Sequence, residues 1–136
     1  MAAYPLSALA GLDDDTQEHL RSAKIRTTAT LLERAKDAKG RKKLSEETGI
    51  DEKLLLSLAN GADRLRIDGM GRDYSELLLA AGVSTVRELG YRNPARLAKA
   101  MAEANKKRKL VRLLPSDSLV NRWIASAKKL QTKITY

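Results

Sequence analysis

Leu65-Arg66-Ile67-Asp68-Gly69-Met70-Gly71-Arg72-Asp73-Tyr74-Ser75-Glu76-Leu77-Leu78 reads as a tight turn that opens directly into an amphipathic helix. Gly69 and Gly71 permit backbone angles and close approaches that a side chain forbids. Ile67 and Met70 stand as apolar anchors on either side of Gly69. Asp73 is a good N-cap for the helix. Tyr74, Leu77, Leu78 and Ala81 follow at helical spacing, and Gly82 sits where a left-handed C-terminal residue is expected. A turn of this form points unpaired backbone N–H groups at one spot, beside the positive end of a helix dipole. That is a generic phosphate site.

The pattern apolar-x-Gly-apolar-Gly, here Ile67, Gly69, Met70 and Gly71, resembles the helix-hairpin-helix motif. The resemblance implies a hairpin whose amides hold one backbone phosphate of DNA without reading sequence. The competing reading is a hairpin that only packs helices together or meets another protein.

Charge favours the first reading. The 136-residue chain carries a formal charge of +9. Residues 1–62 hold ten Lys/Arg against ten Asp/Glu, and residues 63–136 hold sixteen against seven, so the excess lies wholly in the half with the Gly-x-Gly turn. Such asymmetry suits an anionic partner such as nucleic acid; a basic surface with no dedicated partner is the bland alternative.

The length fits a single domain, 1–136, with a modest core: 43% of residues are apolar and 32% charged. With no cysteine, disulfides, thiolate metal sites and cysteine nucleophiles are excluded. No apolar run approaches the roughly 20 residues of a membrane helix. Met1-Ala2-Ala3-Tyr4-Pro5 lacks the basic and apolar regions of a signal peptide. A cytoplasmic protein is expected.

An internal repeat organises the rest. With Gly11 set over Gly69, an offset of 58, Gly11, Asp15, Glu18, Leu20, Ala23, Thr27 and Leu31 meet identical residues, seven in 21 positions. Later the offset grows to 65. Leu54, Leu55, Leu58, Ala59, Ala62 and Leu65 then meet Leu119, Val120, Trp123, Ile124, Ala127 and Leu130, all apolar and at helical spacing. A seven-residue insertion in the second half accounts for the change. Two similar helical units are implied, approximately 5–65 and 63–133.

In chain order, Pro5–Leu12 suggests a short helical turn leading into a first hairpin. A helix is expected from about Asp14 to Ala23, and another from about Thr27 carrying Leu31, Leu32 and Ala35, broken by Gly40. Arg41–Thr48 reads as a short basic helix ending at Gly49, and Asp51 caps a long one. In the second half Ser84 or Thr85 caps a short helix, with Thr85 and Glu88 as a capping box. Asn93-Pro94 starts the next helix, Lys106–Lys109 with Arg112 is the densest positive run, and Pro115-Ser116 opens the last helix. No alternating strand pattern of useful length is present.

Four stretches resemble one bacterial family, the DUF4332 proteins, a tandem helix-hairpin-helix family of unknown function. They are Lys39–Ile50, Leu65–Glu88, Leu110–Ser116 and Trp123-Ile124-Ala125. The resemblance implies an all-α fold of two helix-hairpin-helix-like repeats packed as one compact helical domain. It implies no established activity. The first hairpin departs from the pattern. Gly11-Leu12-Asp13-Asp14-Asp15 places Asp13 where the second glycine belongs and adds two carboxylates that repel phosphate. Phosphate binding is therefore not expected there.

Asp13-Asp14-Asp15 also suggests a divalent cation, but adjacent carboxylates do not converge on a helix, and the helix dipole explains them. His19, the only histidine, lacks an evident nucleophile or orienting partner. Trp123 and Tyr74 read as packed rather than base-stacking rings. With no catalytic constellation, metal site or cofactor motif, a non-enzymatic, largely sequence-independent nucleic-acid binder is expected, with duplex DNA ahead of RNA. The expected contacts are the amides of Gly69, Met70 and Gly71 and the charges of Arg66, Arg72, Lys106, Lys107, Arg108 and Lys109. The alternative is a protein-interaction or scaffolding module. A hydrolase built on the aspartates is a distant third.

Overall fold

The computed structural model describes residues 4–136; Met1–Ala3, part of the stretch read for a signal, lie outside it. Among the described residues the protein is all-helical. A 3-10 turn, Leu6–Ala8, precedes α1 (Asp14–Ser22), α2 (Thr28–Ala35), α3 (Ala38–Thr48), α4 (Glu52–Arg64), α5 (Gly71–Ala80), α6 (Val86–Gly90), α7 (Pro94–Arg108) and α8 (Asp117–Lys129). Two compact units result. Unit 1 takes the residues up to Asp63 together with Lys133–Tyr136, and unit 2 is Arg64–Thr132.

In unit 1, α3 packs on α1 and α2, with Leu20, Ile25, Leu31, Leu32, Ala35 and Leu44 buried. Thr27 caps α2 by accepting the Thr30 N–H. Gly40 does not break a helix, contrary to the expectation. The chain bends at Lys36–Asp37, and the Asp37 carboxylate accepts the Gly40 N–H at 2.7 Å, opening α3. Gly40 is instead the point of closest approach: a Cβ there would lie 2.4 Å from the Arg34 carbonyl oxygen. Arg41 is buried and donates to the carbonyls of Ala35 and Thr135. The Thr135 N–H donates to the Lys36 carbonyl, Ile134 is buried, and Lys133 pairs with Glu33, so the C-terminal residues complete this unit.

In unit 2, α8 packs on α6 and α7, and α5 on α7. Leu77, Leu78, Val83, Val86, Leu89, Leu97, Met101, Val120, Trp123 and Ile124 are buried. The caps are Thr85, Asn93 and Ser116, each accepting the N–H three residues on. Glu88 reaches back to the Ser84 N–H at 3.1 Å. Arg64 is buried at the end of α4. Its guanidinium donates to the Ser75 hydroxyl, the Ser84 carbonyl and the Glu76 carboxylate at 2.9, 2.9 and 3.3 Å.

Local geometry recurs at the offsets read from sequence. Gly11 and Gly69 have φ of +75° and +78°. Lys24 and Gly82 are both left-handed, at +68° and +95°. The Arg34 and Arg92 guanidiniums donate to the Ala23 and Ala81 carbonyls, each at 3.4 Å. The difference in length is local. α7 has four residues more than α3, and the connection from α7 to α8, Lys109–Ser116, has five more than Gly49–Asp51 between α3 and α4. The cap Asn93 stands two residues nearer to Arg92's turn than Asp37 would predict, which leaves the seven-residue net shift.

Candidate nucleic-acid interface

The second hairpin is closed by two backbone hydrogen bonds, from the Ile67 N–H to the Arg64 carbonyl and from the Met70 N–H to the Ile67 carbonyl, both 3.2 Å. With the turn closed at Met70, the left-handed Gly71 leads straight into the helix. α5 therefore starts two residues before Asp73, and Met70 is the N-cap without a capping side chain. Asp73 sits in the first turn, where the dipole favours its charge.

The amides divide accordingly. Met70 donates internally and its side chain is buried, so its N–H leaves the set expected to meet a phosphate. Among the described residues no acceptor meets the N–H of Gly69, Gly71 or Arg72. Gly69 and Gly71 hold φ of +78° and +67°, and open space surrounds the position of an added Cβ at each, so conformation rather than crowding requires glycine.

A cavity of about 1080 Å³ opens at this turn. One wall is Gly69–Tyr74; the other is Lys109–Leu113, the start of the long connection after α7. Lys109 turns the chain with a left-handed φ of +50°. Asn105 then fixes the loop from below: its amide donates to the Val111 carbonyl and accepts the Val111 N–H, both at 3.0 Å. The Tyr74 hydroxyl joins the two walls by donating to the Leu113 carbonyl at 3.3 Å. Its ring meets buried Trp123 edge-on, with centroids 5.3 Å apart. Arg72, Lys109 and Arg112 bring three positive charges to the lining against one carboxylate, Asp73. A second cavity, about 290 Å³, lies on the other side of Gly69 among Asp68, Leu119, Arg122, Trp123 and Ser126.

Of the residues expected to hold nucleic acid, the structure brings Gly69, Met70, Gly71, Arg72 and Lys109 to one cavity, Met70 without a free N–H. Lys106, Lys107 and Arg108 are exposed in the last turn of α7 rather than in a loop, at the negative pole of that helix and off the cavity wall. Arg66 is a correction: it is buried, and its guanidinium donates to the Gln131 carbonyl at 2.8 Å, so its charge is engaged inside unit 2. Arg64, just before the turn, is likewise buried, in the network described above. Asn105 and the apolar residues Leu110, Val111 and Leu113 were not assigned to the site from sequence. The Asn105–Val111 clamp spans six residues without a turn signature, and only the fold shows where it leads.

The first hairpin is built differently. Asp13 caps α1 by accepting the Thr16 N–H at 2.7 Å. The Thr16 hydroxyl and N–H, with His19 nearby, hold the Asp13 carboxyl below its ordinary value of 3.8. A carboxylate thus occupies an amide that a phosphate would need.

Among the described residues no group of three or more His, Asp or Glu is placed to hold a metal ion, and no helix is long and apolar enough to cross a membrane. Turns, caps and packing together define an all-helical protein of two compact units, one of which presents a basic cavity at a glycine hairpin. The chain belongs to the family described as a domain of unknown function (DUF4332), whose model matches residues 10–130. No curated protein and no solved structure matches it.

Proposed function

We propose that the protein is a non-enzymatic nucleic-acid binder whose contact is the second hairpin, read as a helix-hairpin-helix hairpin, and the loop facing it. The observation that carries this reading is the meeting of free turn amides at Gly69, Gly71 and Arg72 with Arg72, Lys109 and Arg112 around one cavity. Amides at a helix start bind phosphate by direction and dipole, and the cations add a salt-sensitive attraction. Unit 2 holds fifteen Lys/Arg against six Asp/Glu and unit 1 eleven against eleven, so the field that draws in a polyanion belongs to the unit with the cavity. Turn amides and cations directed at phosphate carry no base information, so binding is expected to be largely independent of sequence. Duplex DNA is the partner that the hairpin resemblance implies, and the cytoplasm is the expected compartment.

Fluorescence anisotropy of a labelled random duplex at several salt concentrations tests this reading. A dissociation constant on the order of 10⁻⁴ to 10⁻⁶ M near physiological salt is expected. Arg72→Ala/Lys109→Ala/Arg112→Ala changes three exposed side chains. It lowers the slope of log affinity against log salt by about 2–3 while leaving the helical melt unchanged. A Gly69→Val/Gly71→Val variant, checked for folding, loses binding as well. No binding at low salt overturns the proposal in favour of a scaffolding module.

A further inference from the structure

The cavity is too large and too apolar for a phosphate alone. Small-molecule sites run from about 300 to 1,000 Å³, and this one measures about 1080 Å³. Beyond its three cations, its lining includes Met70, Tyr74, Leu110, Val111 and Leu113. Leu113 is 77% exposed and stands at the wall with no apolar cover. A duplex offers this wall only phosphate and sugar, which leaves the leucines and the tyrosine without a partner. An unpaired nucleotide offers both chemistries within one residue: a phosphate for the amides and cations, and a flat apolar base for the wall.

We infer that the cavity between Gly69–Tyr74 and Lys109–Leu113 takes an unpaired nucleotide, its phosphate at the hairpin and its base against Tyr74, Leu110 and Leu113. The ligand class is therefore single-stranded nucleic acid, or a strand end, in preference to intact duplex. Tyr74 suits the role. Its hydroxyl is tied to the Leu113 carbonyl and its ring braced on Trp123, so little side-chain freedom is lost when a base arrives. Stacking on an aromatic ring accepts any base, so the preference concerns pairing state and not sequence. The inference rests on the proposed hairpin contact and adds the base.

Three labelled oligonucleotides of equal length separate the two. One is a normal single strand, one carries abasic sites throughout, and one is a blunt duplex. The full chain is titrated against each at one salt concentration. The normal strand is expected to bind on the order of tenfold tighter than the abasic strand and tighter than the duplex. Tyr74→Leu narrows that gap, Tyr74→Phe preserves most of it, and Leu113→Ser at the exposed rim narrows it without touching the core. Equal binding of normal and abasic strands overturns the base contact while leaving phosphate capture intact. Failure of all three to bind overturns both.

Discussion

The two hairpins start from the same geometry and diverge in chemistry. Gly11 and Gly69 share a left-handed backbone, each turn leads into a helix, and each helix ends in a left-handed residue thirteen positions on. At the first hairpin a carboxylate takes the place of the second glycine and satisfies the helix start from within. At the second, Gly71 leaves the amides open. The connection after the third helix of each unit widens the contrast: three residues in unit 1, eight in unit 2, and the longer one forms the far wall of the cavity. The two turns thus share a left-handed glycine and differ in one side chain and in the length of one later connection.

Internal arginines give the largest test of this comparison. Arg64 is buried and pairs with the partly exposed Glu76 carboxylate, so Arg64→Met leaves Ser75 and the Ser84 carbonyl unmatched, weakens Glu76's pairing and destabilises by about 2–4 kcal/mol. Among the described residues Arg41 donates to two carbonyls, and Arg41→Met is expected to lose about 1–3 kcal/mol. Urea unfolding of both variants measures the difference, and equal losses would refute the assignment of the heavier role to Arg64. Next is Gly40→Ala, which drives a methyl group onto the Arg34 carbonyl and should lose about 1–3 kcal/mol in the same assay.

Smaller effects sharpen the picture. Lys24 holds the left-handed conformation that Gly82 holds in unit 2, so Lys24→Gly should stabilise by about 1 kcal/mol, visible as a raised melting temperature. The smallest effect is acid sensitivity in unit 1. Lys133 first, and then Lys36, hold the Glu33 carboxyl below its ordinary 4.5, and Asp13 lies below 3.8. A carboxyl whose folded value is depressed stabilises fully above its ordinary value and loses that contribution as pH falls through the lower one. The Lys133–Glu33 tie and the Asp13 cap should therefore weaken below about pH 4. Lys133→Ala should return Glu33 towards 4.5 in an NMR titration; an unmoved Glu33 would refute the tie.

Sequence revealed what depends on short-range chemistry. Thr27, Thr85, Asn93 and Ser116 announce helix starts because capping needs only a side-chain oxygen and an amide three residues on. Gly69 and Gly71 announce the turn for the same local reason. What sequence concealed depends on distant partners. Arg64 and Arg66 look like surface charge beside a phosphate site, yet both are buried, because their acceptors at Ser84, Glu76 and Gln131 lie 12 to 65 residues away. Gly40 resembles a breaker, although its lack of a side chain serves a close contact inside a helix. Leu110–Leu113 carries no local sign of its place, and the Asn105 clamp and the Tyr74 hydroxyl reveal it as a cavity wall.

Amide NMR of the full chain, titrated with an unlabelled single-stranded oligonucleotide, tests the claimed asymmetry most directly. The glycine amides of both hairpins serve as matched reporters in one sample. Shifts concentrated at Gly69, Gly71, Arg72, Lys109 and Arg112, with Gly11–Asp15 silent, are predicted. Comparable shifts at Gly11–Asp15, or shifts confined to Lys106–Arg108 on α7, would contradict the account.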